Sequence, residues 1–192
     1  MASELTATTA DPLSFARHAS LEILLVPVTP IKRSTFAAHC KQIRAYSRIP
    51  VRDVPPDARG DRAHLSASPR SRGHILFTFV DAHTRSKAYL EDFEPSRRLF
   101  GIIGIVDCTE WDDLHDAHAE FQQVLRRQPR VFATRCYAFS PRENHRDDVE
   151  GVVTIPSVGD PSFYISTLLA DFASTILYEL SNMVRLHSHC DK

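Results

Sequence analysis

The block Leu99 to Cys108 (LFGIIGIVDC) opens with an uncharged apolar run, carries two glycines and ends at the acid Asp107. An apolar run without polar alternation marks a strand covered on both faces, and Gly101 and Gly104 would each cost a helix about 1 kcal/mol relative to Ala. It is predicted to be the central strand. Asp107 stands where the strand leaves the sheet. Chemistry is often placed there in α/β folds, but an acid also serves there to begin a turn or solvate a helix start.

The rest of the pattern alternates strands and helices around this block. Leu21–Val28 reads as a first strand, with Pro27 suggesting an edge or bulge. Thr29-Pro30 is read as the cap and first residue of a helix running to about Tyr46, with Phe36, Cys40, Ile43 and Ser47 on its buried face. Ile49–Val54 (IPVRDV) is a short second strand and His74–Val80 a third. A polar turn, Asp81–Lys87, leads back through Tyr89–Phe93, so the third and central strands are expected to be antiparallel neighbours. Thr109 with Asp112 resembles a capping box for a helix whose buried stripe is Leu114, Ala117, Phe121 and Val124 or Leu125, and which Pro129 stops. Val131–Ser140 and Gly151–Pro156 complete the strands. Asp160-Pro161 opens the longest helix, where Ile165, Leu168, Leu169, Phe172, Ile176, Leu180 and Met183 recur at helical spacing. One sheet face is not expected to hide all of that stripe, so the helix also offers a docking surface.

This order predicts an α/β fold: a mixed central sheet of five or six strands flanked by three helices, GTPase-like but without a phosphate-binding loop. Residues 1–20 are expected to be a flexible arm, 21–186 a single domain with a disordered insertion at 55–72, and 187–192 a tail. The insertion holds Arg59, Arg62, Arg70 and Arg72, read as a solvated loop, and a Ser68-Pro69 pair that could accept phosphate.

Composition changes this picture little. At 192 residues the chain can bury a core without staples, and 43% hydrophobic with 24% charged residues is ordinary for a globular protein. A net charge of -1 gives no long-range reason to bind nucleic acid or an acidic membrane. No stretch has the pattern of a secretory signal or the ~18 apolar residues that span a bilayer, so the chain is expected in the cytoplasm. Cys40, Cys108, Cys136 and Cys190 are far apart and are read as reduced thiols.

Candidate chemistry lies at the strand ends and among the histidines. A nucleotide site needs backbone amides to approach phosphates after the first strand, and that connection reads PVTPIKRST, with two prolines and no glycine. His39 and Cys40 are helical neighbours pointing about 100° apart, and Cys108 beside Asp107 has no identifiable base. His115 and His118 with Asp112, Asp113 and Asp116 suggest a metal but fit a mixed-charge wet face, and His187, His189 and Cys190 lack a distant fourth ligand. No catalytic, cofactor-binding or metal site is assigned. The enzyme alternative rests on Asp107 and Cys108, and a degenerate nucleotide-binding domain is the other alternative.

Four collinear segments, LLVPVTPIKRSTF, IPVRDV, DFEPSRRLFGIIGIVDCTEW and RVFATRCYAFSP, carry a family resemblance. From about Leu21 to Asn182 the chain resembles the amino-terminal region of the TRAPP II-specific large subunit family, transport protein particle subunit nine. The resemblance implies a non-catalytic scaffold domain of a vesicle-tethering and Rab nucleotide-exchange complex at the Golgi and trans-Golgi network. Its implied partners are other TRAPP subunits and, through them, Rab GTPases, with peripheral membrane association through the complex. Members of that family are several times longer, which implies that this chain is a fragment, a truncated product or a short form.

Overall fold

The computed structural model describes residues 20–50, 53, 73–82, 99–109, 113–126, 131–141, 149–156 and 161–190, without the side chains of 99, 124, 181 and 184–190. The strands are β1 (Ser20–Pro27), β2 (Arg48–Pro50), β3 (His74–Asp81), β4 (Leu99–Asp107), β5 (Ala133–Ser140) and β6 (Val152–Pro156). The helices are α1 (Arg33–Arg44), α2 (Leu114–Arg126) and α3 (Ser162–Cys190). The sheet order is β2-β3-β1-β4-β5-β6, with β2 antiparallel to β3 and every other pair parallel. This is the predicted α/β architecture, with β1 and β4 at the centre.

Successive residues of a strand face opposite sides of the sheet, and the core divides accordingly. On one side Leu21, Ile23, Leu25, Ile103 and Ile105 meet α1 and α3; on the other Leu24, Val26, Ile102 and Val106 meet Leu114, Ala117 and Phe121 of α2. All of these β1 and β4 side chains are buried, so burial at about 1.5–3 kcal/mol per large side chain acts on both faces. The two glycines of β4 mark where the helices come closest. A Cβ on Gly101 would lie 2.5 Å from Phe172 of α3, and one on Gly104 would lie 2.7 Å from Phe121 of α2.

Four local readings need correction. β3 and β4 are not antiparallel neighbours: both run parallel to β1, one on each side of it. The connection over 82–98 is long enough for the crossover that parallel strands require, although its polar start at Asp81 imitates a hairpin turn. α1 begins at Arg33 rather than at Pro30, because Val28 N–H still donates to Ile105 O, 3.0 Å, and keeps the chain in the sheet. The cap of α2 is Asp113, whose Oδ1 accepts from His115 N–H and Asp116 N–H at 2.9 and 3.1 Å. Thr109 instead bonds back to Asp107. β2 is described over Arg48–Pro50, starting one residue earlier than expected, and Asp53 is not in a strand; Val51, Arg52 and Val54 lie outside the described residues, as do 1–19 and the insertion at 55–72.

α3 runs to Cys190, into the stretch read as a tail. Its middle is well covered, with Phe172, Ala173, Ser174, Ile176 and Leu177 all buried. Among the described residues its exposed large apolar side chains lie near its first turn, at Phe163 and Tyr164, and at Met183. No helix among the described residues is long and apolar enough to cross a membrane.

Candidate functional site

β1, β4 and β5 end side by side, and α1 returns over those ends. The crevice beyond the carboxyl ends of parallel strands is where open α/β sheets bind ligands. Here it is filled by protein. The buried face of α1 carries Phe36, His39, Cys40 and Ile43, and His39 lies on the ring of Phe139 from β5, centroids 3.9 Å apart and planes 16° from parallel. His39 Nε2 is 3.9 Å from Asp107 Oδ2, beyond hydrogen-bond distance. Neither ring nitrogen makes a hydrogen bond of good geometry, although the Gln42 side chain is near enough to favour the protonated ring, and the buried Thr29 Oγ1 has no partner among the described residues. Burial pushes the His39 pKa below its ordinary value, and the Asp107 carboxylate opposes this only in part, so the ring is neutral at pH 7.

Asp107 is committed to its own turn. Its Oδ1 accepts from Thr109 N–H at 3.0 Å and from Thr109 Oγ1–H at 2.7 Å, an Asx-type closure that turns the chain out of β4. Cys108 N–H donates to Phe139 O at 2.9 Å, fastening the same turn to β5. Asp107 follows Ile103 and Ile105 toward α1, whereas Cys108 packs with Val106, Leu114 and Cys136 on the α2 side. The two candidate residues of the enzyme alternative therefore point to opposite sides of the sheet.

The thiols are poor nucleophiles where they stand. Burial, then the Asp81 carboxylate, which accepts a hydrogen bond from the Cys40 thiol, pushes Cys40 far up. Burial pushes Cys136 up to about 12, with Cys108 adding to the shift. His39 and Cys40 have different neighbours, Phe139 with Asp107 for the one and Asp81 for the other. On α2, His115 is exposed while His118 Nε2 meets Gln122 Nε2 at 2.9 Å. Among the described residues no group of three or more His, Cys, Asp or Glu is placed to hold a metal ion. Asp112 and the side chains of His187, His189 and Cys190 lie outside the described residues.

A cavity of about 780 Å³ lies elsewhere, between the β2 edge and the first turns of α3. Tyr46, Ile49, Pro50, Phe163 and Leu168 give it an apolar lining, and none of His39, Asp107 or Cys108 reaches it. Phe163 is 73% exposed and packs edge-on against Tyr164, so an aromatic pair stands at its rim.

Sequence reasoning named His39 and Asp107 separately but missed the buried place of His39 beside Asp107, 68 positions away, which arises only because α1 folds back over β4. The signal that could have found it is helical spacing: His39 is three residues after Phe36, on the same buried face.

The Trs120/TRAPPC9, N-terminal domain family matches residues 12–191. The chain is similar to the transport protein particle subunit trs120 of Schizosaccharomyces pombe, 28% identical over 88% of this chain and 14% of that relative. It is similar also to the trafficking protein particle complex II-specific subunit 120 homolog of Arabidopsis thaliana, 25% identical over 64% of this chain and 11% of that relative. The corresponding subunit 120 of Saccharomyces cerevisiae is 24% identical over 92% of this chain and 13% of its own length. The chain thus spans about one seventh of the length of the curated relatives it matches.

Proposed function

Because the chain belongs to the Trs120/TRAPPC9 N-terminal domain family, we propose that it is a protein-binding scaffold domain of a TRAPP II-type trafficking complex. The observation that carries this reading is the collinear family match over residues 12–191, which joins relatives named as complex-specific subunits. The geometry supports it. The strand ends where an α/β enzyme would hold substrate are occupied by His39 stacked on Phe139, and Asp107 and Cys108 diverge.

In this reading the fold is a GTPase-like sheet whose first connection has lost the means to hold phosphate. It works by holding other subunits, and so helps to position a Rab nucleotide-exchange assembly at the Golgi, on the cytoplasmic side. Its partners are other TRAPP subunits, and its membrane association is peripheral and indirect.

Affinity purification of the tagged chain from its own cells, read by quantitative mass spectrometry, tests this. Stoichiometric recovery of TRAPP subunits is expected. Recovery of none of them, with the chain folded and expressed, would overturn the proposal.

A further inference from the structure

The outer face of α1 carries charge of one sign. No Asp or Glu stands between Glu22 and Asp53, while Lys32, Arg33, Lys41, Arg44, Arg48 and Arg52 all do. Within the helix Arg33, Ala37, Lys41 and Arg44 are exposed on one side, and Phe36, His39, Cys40 and Ile43 are buried on the other. Arg44 is neutralised by Asp81, Nη2 to Oδ1 2.8 Å. Among the described residues, nothing pairs with Arg33 or Lys41. The contrast with α2 is direct, for that helix exposes Asp116, Glu120 and Arg126 together.

Part of this charge, at the start of the helix, is placed against the helix's own field, while Lys41 and Arg44 stand in the last turn, where that field favours cations. The partial positive end of a helix favours acids, yet α1 has Lys32 at its N-cap position, Arg33 at its first residue, no acid in its first turn and no side-chain cap. A helix meant only to face water gains by interleaving Glu with these cations. An acidic partner would supply both the missing counter-charge and the missing negative end.

We propose that the exposed face of α1 docks an acidic helix of a partner protein. Ala37, Ala38 and Ala45 are all exposed and leave the face low enough for a second helix to lie close, with Arg33 and Lys41 reaching its carboxylates. An anionic membrane is a poorer occupant. Lipid recognition generally uses about four to eight clustered cations or an inserted apolar side chain, and among the described residues this face offers two unneutralised cations and alanines. The proposal does not rest on the identity of the complex to which the chain belongs.

A photo-crosslinking residue, p-benzoylphenylalanine, in place of Ala37 tests it in the cells that make the chain, with the captured peptide identified by mass spectrometry. The expected adduct is a protein segment with acids at helical spacing. Arg33→Glu with Lys41→Glu should cut its yield at least tenfold, and changing the captured acids to Lys should restore it. The double substitution puts a favourable acid in the first turn and an unfavourable one in the last, beside Arg44, and these effects offset, so the thermal midpoint of the isolated chain should stay level, which separates lost docking from lost folding. Capture of lipid, of a nucleotide or of a segment without acids, no capture at all, or a yield indifferent to charge reversal would each overturn the proposal. TRAPP subunits could still co-purify in every one of those cases.

Discussion

The ring of Phe172 lies over Gly101 so closely that a Cβ on that glycine would sit 2.5 Å from its Cζ. On the opposite side of the same strand Gly104 receives Phe121, and a Cβ there would also come within 2.6 Å of Val28 Cγ2. Both aromatic rings are buried and cannot swing into solvent. Overpacking of this kind costs about 1–3 kcal/mol. Gly101→Ala and Gly104→Ala should each lower stability by that amount in denaturant unfolding. Phe172→Leu combined with Gly101→Ala should cost less than the two changes separately, because the second removes what the first collides with. Strict additivity would mean that the glycine is needed for another reason.

His39 sets a pH dependence. Its folded pKa lies below the unfolded value of about 6.5, so the unfolded chain takes up the proton first as pH falls. Stability from this group is complete above about pH 6.5 and declines as the pH drops toward the folded pKa, by at most about 1.4 kcal/mol per pH unit. His39→Phe should flatten that decline. At pH 7 it should be neutral or stabilising by up to about 1 kcal/mol, since the ring nitrogens make no hydrogen bond of good geometry and the new ring can keep the stack on Phe139. Urea unfolding of both proteins between pH 5 and 8 measures it. Equal slopes would show that His39 is not the group responsible.

The buried thiols should be silent in the native protein. With Cys136 at about 12, roughly one molecule in ten thousand carries its thiolate at pH 8, and Cys40 and Cys108 are buried as well. In a Cys190→Ser background, Ellman's reagent should label none of the three over the time in which guanidinium-unfolded protein is labelled completely. Fast labelling of Cys108 in native protein would revive it as a nucleophile.

The fold was largely legible because its elements are strongly patterned: LFGIIGIVD could only be an interior strand, and Phe172 and Ile176 recur at helical spacing toward one face. What failed was local. Thr29-Pro30 has good helix-start chemistry, but the Val28 N–H bond to Ile105 O holds the chain in the sheet beyond it. Asp113 took the cap because Thr109 was engaged by Asp107. The neighbour relation of β3 and β4 failed because a polar turn stands out in the sequence and the crossover that follows it does not. The meeting of His39 with Asp107 and Phe139 depends on strand order, which no local pattern contains.

The strand ends lead to the last expectation. Phosphate binding at the start of a helix needs several amide N–H groups turned toward one point, and glycines let the backbone approach. Between β1 and α1 the chain runs Val28-Thr29-Pro30-Ile31-Lys32, where Val28 N–H is already given to Ile105 O, Pro30 has no N–H, and Thr29 is buried. Two cations, Lys32 and Arg33, stand at the helix start and would attract a polyphosphate without seating it. Calorimetric titration with GTP and magnesium should therefore give no saturable binding tighter than about 1 mM, or about 4 kcal/mol. Any weak association should vanish with added salt, as expected for exposed charges alone. A micromolar, salt-resistant dissociation constant would mean that the connection rearranges to expose its amides, and the form of this connection would no longer support the proposed protein-binding role.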